Sequence, residues 1–324
     1  MTRVDSKVLK LRLPTPFPVG RVNVYFIDGT EPTLIDTGVF SSKSMKALKE
    51  QLLEHGRHME DIRRIIITHD HYDHAGAALH LSQLCKATLY LHEKSSLFSK
   101  FQAEVNERTS KFLVRCGVPE DLVRMAFKMY ATSEKFADLE AKAYAIKWLQ
   151  GGETILCNDM LLKVLATPGH SPDHLSFQDA DAGVLFCGDM LLPHITPNPL
   201  LYLDPQDGYN RMHSLLNYID SLQKLEACDI TIGCPGHGPD ITDVPGLIAT
   251  NKAFIEQRKN LFLEKINDGL MIPFELACAI FGELDMMNQY LAVSETVAYL
   301  DLLERDKMIT VDWEGEAITF KLLL

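Results

Sequence analysis

Apolar positions near the start of the chain recur with two spacings. The runs VNVYFI and TLID, joined by Asp28-Gly29, predict two strands meeting at a tight turn, since Asp-Gly tolerates the left-handed backbone that hairpins need. In SKSMKALKEQLLEHG the period lengthens. Met45, Leu48, Leu52 and Leu53 then share one face of a predicted helix over residues 42–56, with Gly56 as its stop. DIRRIIIT reads as a core strand, AGAALHLSQLC as a helix whose small residues allow close packing, and ATLYLH as another strand.

Residues 93–148 change in texture. From EKSSLFSKFQAEVNERTSKFLVRC to EAKAYAIKWL the pattern predicts a charged, helical insert. Strand signals resume at ETILC, LLKVLAT, HLSFQD, GVLFCGD and DITIGC, with NRMHSLLNYIDSLQKL as an amphipathic helix before the last. Two strand-rich blocks with their own helices predict an α/β architecture of sheets packed face to face with helices outside. Beyond Thr242 a long helix ending near Gly269, a short one in IPFELACAIFG, a third opened by Ser294 as its cap, and a hairpin turning at Glu314-Gly315 follow in the order of a winged helix. The expected division is a catalytic domain over residues 1–245, carrying the insert near 93–148, and a small winged-helix-like domain over 246–324.

Composition adds limits. At 324 residues with 46% hydrophobic and 23% charged side chains, the chain can bury a sizeable core. No run resembles a membrane span, and the N-terminal residues lack the apolar stretch and cleavage site of a secretory signal, so a cytoplasmic location is expected. Seven cysteines stand singly, which argues against a disulfide framework or a Cys-rich zinc module. A formal charge of -12 opposes long-range attraction to nucleic acid or anionic membrane.

The candidate chemistry starts in THDHYDHAG, residues 68–76, directly after an apolar strand. His69 and His71 lie two apart, and Asp73 and His74 follow. His170 in ATPGHSPDH, Asp189 after GVLFCG, and His237 in CPGHGP each sit just beyond an apolar run, where strand ends can converge on one cleft. Grouped by reach, His69, His71 and His170 form one three-histidine metal site. Asp73, His74 and His237 form a second, with Asp189 bridging. Nitrogen and oxygen donors suit zinc, manganese or iron, and three protein ligands with an open position mark a catalytic rather than a closed structural metal.

In this order and spacing, His69-x-His71-x-Asp73-His74, His170, Asp189 and His237, together with IDTG, TPGHSPDH and PGHGP, resemble the metallo-β-lactamase superfamily over roughly residues 15–240. The resemblance implies a four-layer αβ/βα sandwich with a dinuclear site at the edge between two sheets. It implies two divalent ions, zinc first, with manganese or iron as alternatives. It also implies that Asp36 of IDTG positions ligands from behind, that Asp70 is a bystander, and that Asp73, Asp189 and His174 are the catalytic candidates. His174 either donates to a substrate oxygen or orients its loop. Zinc-dependent β-lactamases place a cysteine where this chain has Asp189, so antibiotic hydrolysis is not the expected task. The match to superfamily members with a C-terminal winged helix is the best, because residues 250–324 follow in order and size.

The expected function is hydrolysis, by a bridging hydroxide, of a small ester, thioester or lactone, with an anionic small-molecule substrate suited to the positive cluster. Tyr202 and Tyr209, in the segment after Asp189, are weaker substrate-side candidates. The alternative is a metal-dependent nuclease or phosphodiesterase acting on RNA. Against it, residues 270–324 carry only Arg305, Lys307 and Lys321 as basic side chains, while the expected recognition helix is acidic on its outward side. A second rival keeps residues 250–324 as a packing or oligomerisation module, which leaves a homodimer open.

Overall fold

The computed structural model describes residues 8–95, 101–130, 142–269, 271–282 and 286–323. Parts of the expected insert, residues 96–100 and 131–141, lie outside the described residues. The chain packs as two compact units. One comprises residues 1–100, 135–197 and 221–248; the other comprises 101–134, 198–220 and 249–324.

In the first unit β1 (Val8–Leu13), β2 (Val22–Ile27) and β3 (Thr33–Ile35) form an antiparallel meander. Helix α1 (Ser42–Glu54) follows, started by Ser41, whose hydroxyl accepts from the Ser44 amide. Next come β4 (Arg64–Ile66), the one-turn helix α2 (Tyr72–Ala75), α3 (Ala78–Cys85) and β5 (Thr88–His92). Strands β3, β4 and β5 run parallel, as helical crossovers require. Strand β6 (Ala145–Leu149) extends this sheet parallel to β5. The helical expectation for EAKAYAIKWL is corrected here. Ile146 and Trp148 alternate onto the helix-covered face while Leu149 faces the other way, a period of two that the preceding charged helical texture disguised.

The second sheet orders as β13-β10-β9-β8-β7. Its strands are β7 (Thr154–Cys157), β8 (Met160–Ala166), β9 (Leu175–Asp179) and β10 (Val184–Gly188), then β13 (Ile232–Pro235) after a two-stranded ribbon, β11 (Leu203–Asp204) and β12 (Asn210–Arg211). The sandwich follows from alternation. In the first sheet Val24, Phe26, Leu34, Ile65 and Leu89 pack with Leu48 and Leu52 of α1 and Leu81 of α3. Their neighbours Tyr25, Ile27, Ile35, Ile66 and Tyr90 face the opposite way and pack on Leu162, Val164, Phe177 and Phe186 of the second sheet. Burying side chains of this size contributes about 1.5–3 kcal/mol each, which makes this interface the rigid base on which the strand-end loops sit.

The second unit contains α4 (Gln102–Arg115) and α5 (Glu120–Tyr130), with α8 (Pro273–Phe281) and α9 (Met286–Arg305) after α6 (Ser214–Glu226) and α7 (Val244–Asn267), and ends in the hairpin β14 (Ile309–Asp312) and β15 (Thr319–Leu322). Leu113, Cys116, Val118 and Val123 share one core with Ala277, Val293, Val297 and Ile318. Part of the insert therefore packs with the C-terminal segment. Two expectations for α9 are corrected. Ser294 lies inside the helix and is buried, so it is not a cap. The helix is also not acidic on an outward face: from Ala292 to Leu303 every residue is buried except the half-buried Glu295. Its acids are used internally, Glu295 on Arg258 at 3.3 Å and Asp301 on Arg211 at 2.6 Å. Glu304 accepts from the Trp313 indole at 2.8 Å. Among the described residues no helix is long and apolar enough to cross a membrane.

Candidate metal centre

Four strands of the first unit end at the same place. The loop after β4 carries His69, and His71 opens α2, whose first turn bears Asp73 and His74. His170 and His174 lie in the loop after β8, Asp189 directly follows β10, and His237 stands two residues past the end of β13. The structure brings all seven expected ligands together in three overlapping groups: His69, His71 and His170; His69, His74 and Asp189; and Asp73, His74 and His237. Within each group the candidate ligand atoms lie within 4.8 Å of one another.

Ring nitrogens converge on a point in the first group. His71 Nδ1 is 3.0 Å from His69 Nε2 and 2.9 Å from His170 Nε2. In the second set His237 Nε2 lies 3.3 Å from an Asp73 oxygen and 3.7 Å from Asp189. His74 Nε2 is 3.4 Å from Asp189 Oδ1, and His170 Nε2 is 3.7 Å from Asp189 Oδ2. Asp189 thus touches both sets.

The far side of each ring is held by the fold. His237 Nδ1–H donates to the Arg21 carbonyl at 2.9 Å, leaving Nε2 as a lone pair. His74 Nδ1 pairs with Asp36 Oδ2 at 2.8 Å. The Thr68 hydroxyl meets Asp36 Oδ2 at 2.9 Å and His69 Nδ1 at 3.0 Å, so His69 donates to Thr68, which donates to Asp36. Asp36 therefore orients two ligands, one directly and one through Thr68. Its own backbone sits at φ 61, a left-handed conformation costing about 1–3 kcal/mol for a non-glycine residue. An Asp36→Asn variant is expected to lose roughly 10–100-fold in metal affinity or turnover, because the amide offers one acceptor oxygen where two serve now. Chelator competition and kcat would measure this, and unchanged values for both would remove the role.

His174 is buried and committed at both nitrogens. Its Nδ1 pairs with the Thr167 hydroxyl at 2.9 Å, and its Nε2 accepts the Asp189 backbone N–H at 3.2 Å. Burial, helped by His170, pushes its pKa down to about 3. These two contacts tie Thr167, before the His170 loop, to the backbone just after β10. Asp173, fully buried beside it, accepts from Ser95 at 2.6 Å and from Ser171, tying the His170 loop to the residues after β5. Asp70 is half-buried and belongs to none of the three groups. Tyr202 and Tyr209 belong to the second unit.

The electrostatics suit cations. Burial opposes ionisation of Asp73, but His74 and His237 outweigh it and hold the carboxyl at about 2. Asp189 is likewise held well below the usual carboxylate range against burial, mainly by His74. Burial, then neighbouring histidines, lowers His69 and His71 well below the ordinary imidazole range, which keeps them neutral as ligands must be. For His74 burial acts downward, but Asp189, Asp36 and Asp73 outweigh it and raise the ring.

A direct test of fit comes from unsatisfied atoms. His74 Nε2, Asp189 Oδ1 and His237 Nε2 are buried with no hydrogen-bond partner, and each points into the cluster. Leaving such groups unpaired costs about 1–3 kcal/mol each, which a bound cation removes. The donor set, imidazole and carboxylate, fits divalent metal at both groups.

Two glycines that no spacing pattern singled out shape the centre. At Gly236 a side-chain carbon would stand 2.4 Å from Asp189 Oδ1 and 2.5 Å from His74 Cε1. Gly188 has φ +48, and a carbon there would meet His174 Nε2 at 2.8 Å. The strings GD and PGHGP contain both, but only the fold shows what each avoids.

Comparison with known proteins agrees with this centre. Residues 17–237 match the model of the Metallo-beta-lactamase superfamily. The chain is 32% identical to a probable metallo-hydrolase, YqjP, of Bacillus subtilis, with 99% of each chain covered. It is 24% identical to an atrochrysone carboxyl ACP thioesterase of Aspergillus fumigatus, over 90% of this chain and 79% of that one. A metallo-beta-lactamase family protein from Thermus thermophilus superposes with a TM-score of 0.80 at 25% identity, covering 98% of this chain and 99% of the other.

Proposed function

Because the chain belongs to the metallo-beta-lactamase superfamily, and is a metal-dependent hydrolase of that fold, we propose that it cleaves a thioester or another small carboxylic ester, lactones included. The observation that carries the proposal is the convergence of three overlapping donor groups at the strand ends, the Asp189 group sharing His69 with one and His74 with the other, with buried unpaired atoms aimed among them. The similar thioesterase supports the choice of a carboxylic acyl substrate.

His69, His71 and His170 would hold one ion, and Asp73, His74 and His237 the other, with Asp189 shared. When bound, two divalent ions, zinc first with manganese or iron as alternatives, supply activation of water at neutral pH and polarisation of a carbonyl oxygen. The protein's own part is to keep the donors in place. Asp36 and Thr68 fix His69 and His74, the Arg21 carbonyl fixes His237, and His174 holds the backbone of Asp189. Asp73 and Asp189 stay ionised, which suits both as cation ligands rather than as proton acceptors. His174 is a positioning residue in this reading.

Residues 1–245 are assigned the chemistry. Residues 246–324 are read as a winged-helix-like module on the strength of their order, three helices and then a hairpin. The burial of α9 removes the exposed recognition helix that a nucleic-acid role would use, which disfavours RNA as substrate.

A panel of thioesters, esters, lactones, phosphodiesters and single-stranded RNA, assayed with the zinc-loaded protein, tests the proposal. Turnover is expected on carboxylic acyl substrates. RNA or phosphodiester cleavage with no acyl turnover would overturn it.

A further inference from the structure

The second unit holds a cleft of about 590 Å³ whose lining includes none of the seven candidate ligands. One wall is a stripe of α4: Arg108, Lys111, Phe112 and Arg115, spaced i, i+3, i+4 and i+7, so one helix face carries three cations around an aromatic ring. Facing it are Arg211, Tyr209 and Trp313. In a chain of net charge -12, four basic side chains lining one cleft are unexpected; Asp301 neutralises Arg211, which leaves Arg108, Lys111 and Arg115.

Two of these guanidinium groups are fixed in advance. The Arg211 guanidinium carbon lies over the Trp313 ring, 3.7 Å from its centroid, and both Asp301 oxygens hold the group at 2.6 Å. Arg115 donates to the backbone carbonyls of Trp313 and Gly315, the latter at 2.9 Å. Carbonyl partners orient a guanidinium without cancelling its charge. Arg108 packs over Tyr209 at 4.0 Å from the ring centroid.

Several carboxylates compete. Asp207 and Glu314 line the cleft. Glu104 pairs with Arg108 at 3.4 Å and Glu107 with Lys111 at 2.6 Å, but these are one-turn pairs with every side chain about half exposed or more. Such exposed pairs are screened by solvent, contribute little, and exchange readily for a multiply charged anion. Phosphate is the better match than a single carboxylate, because its charge can be shared among Arg115, Lys111 and Arg108.

We propose that the cleft between α4 and the β11–β12 ribbon, floored by Trp313, binds a small organic phosphate. Arg115 and Lys111 contact the phosphate, while Arg108 and the aromatic side chains border the organic part. The cleft shares no residue with the candidate metal ligands.

Calorimetry on the full chain with pyrophosphate and with ADP tests this, using wild type, Asp189→Ala, and an Arg108→Ala/Lys111→Ala variant. Both substituted residues of the double variant are exposed, so its circular dichroism and ester turnover are expected to match wild type. Binding of both probes is expected to weaken by about 10-fold or more in the double variant and with added salt, and to persist in Asp189→Ala. Equal affinities would assign recognition to the phosphates, and tighter ADP binding would add the aromatic wall. Absence of binding at millimolar probe, unchanged affinity in the double variant, or loss of binding in Asp189→Ala, which would place the anion on the metals, each overturns the proposal.

Discussion

Replacement of Asp189 by alanine is expected to lower kcat by about 10³-fold or more, since it removes the carboxylate shared by both ligand groups and with it several kcal/mol of metal-dependent stabilisation. Its oxygens lie 3.4–3.7 Å from His74, His170 and His237. The loss should come with lower metal content per chain and little change in far-ultraviolet circular dichroism, because Asp189 follows β10 and supplies none of the sandwich core. The alanine keeps the backbone N–H that His174 accepts, so the loop has its anchor. Turnover within a few-fold of wild type would show that the shared ligand is dispensable.

The second large effect needs only one methyl group. Gly236→Ala places a carbon 2.4 Å from Asp189 Oδ1 and 2.5 Å from His74 Cε1. Neither the backbone nor the neighbours can easily yield. The Gly236 N–H donates to the Gly188 carbonyl at 2.7 Å, and its own carbonyl accepts from Asn23 at 2.6 Å. His74 is pinned from behind by Asp36. Overpacking of this kind costs about 1–3 kcal/mol of stability. Displacing ligands by a fraction of an ångström is expected to reduce kcat roughly 100-fold. Thermal unfolding and kinetics on the same sample measure both, and a fully active variant would contradict the contact.

Much of the site was legible because each chemical residue directly follows an apolar strand signal. His69, His170, Asp189 and His237 all stand within a few residues of the end of a short apolar run, continuous in β4 and β10 and alternating in β8. Hydrophobic alternation likewise located most strands of the two sheets. The rest is encoded in long-range packing. Thr68 reads locally as a strand end, yet its hydroxyl links a ligand to Asp36, 32 residues away. Gly236 reads as a turn residue, yet its lack of a side chain is set by residues from other segments. The strand β6 was hidden because a long helical texture runs up to it, and only pairing with β5 selects the extended state. In α9, Ser294 has the chemistry of a cap, but burial of the whole stretch favours a helix continuing through it. Nor does local pattern reveal that Leu113 and Val118 share a core with Val297 and Ile318.

The most direct measurement is a metal titration of the stripped protein with activity followed in parallel. Chelator-treated protein should be inactive on the acyl substrate, and adding zinc should restore turnover with a break at two ions per chain, one at His69, His71 and His170 and one at Asp73, His74 and His237. Activity that survives complete metal removal, or full activity with an end point at one ion per chain, would contradict a dinuclear hydrolytic centre.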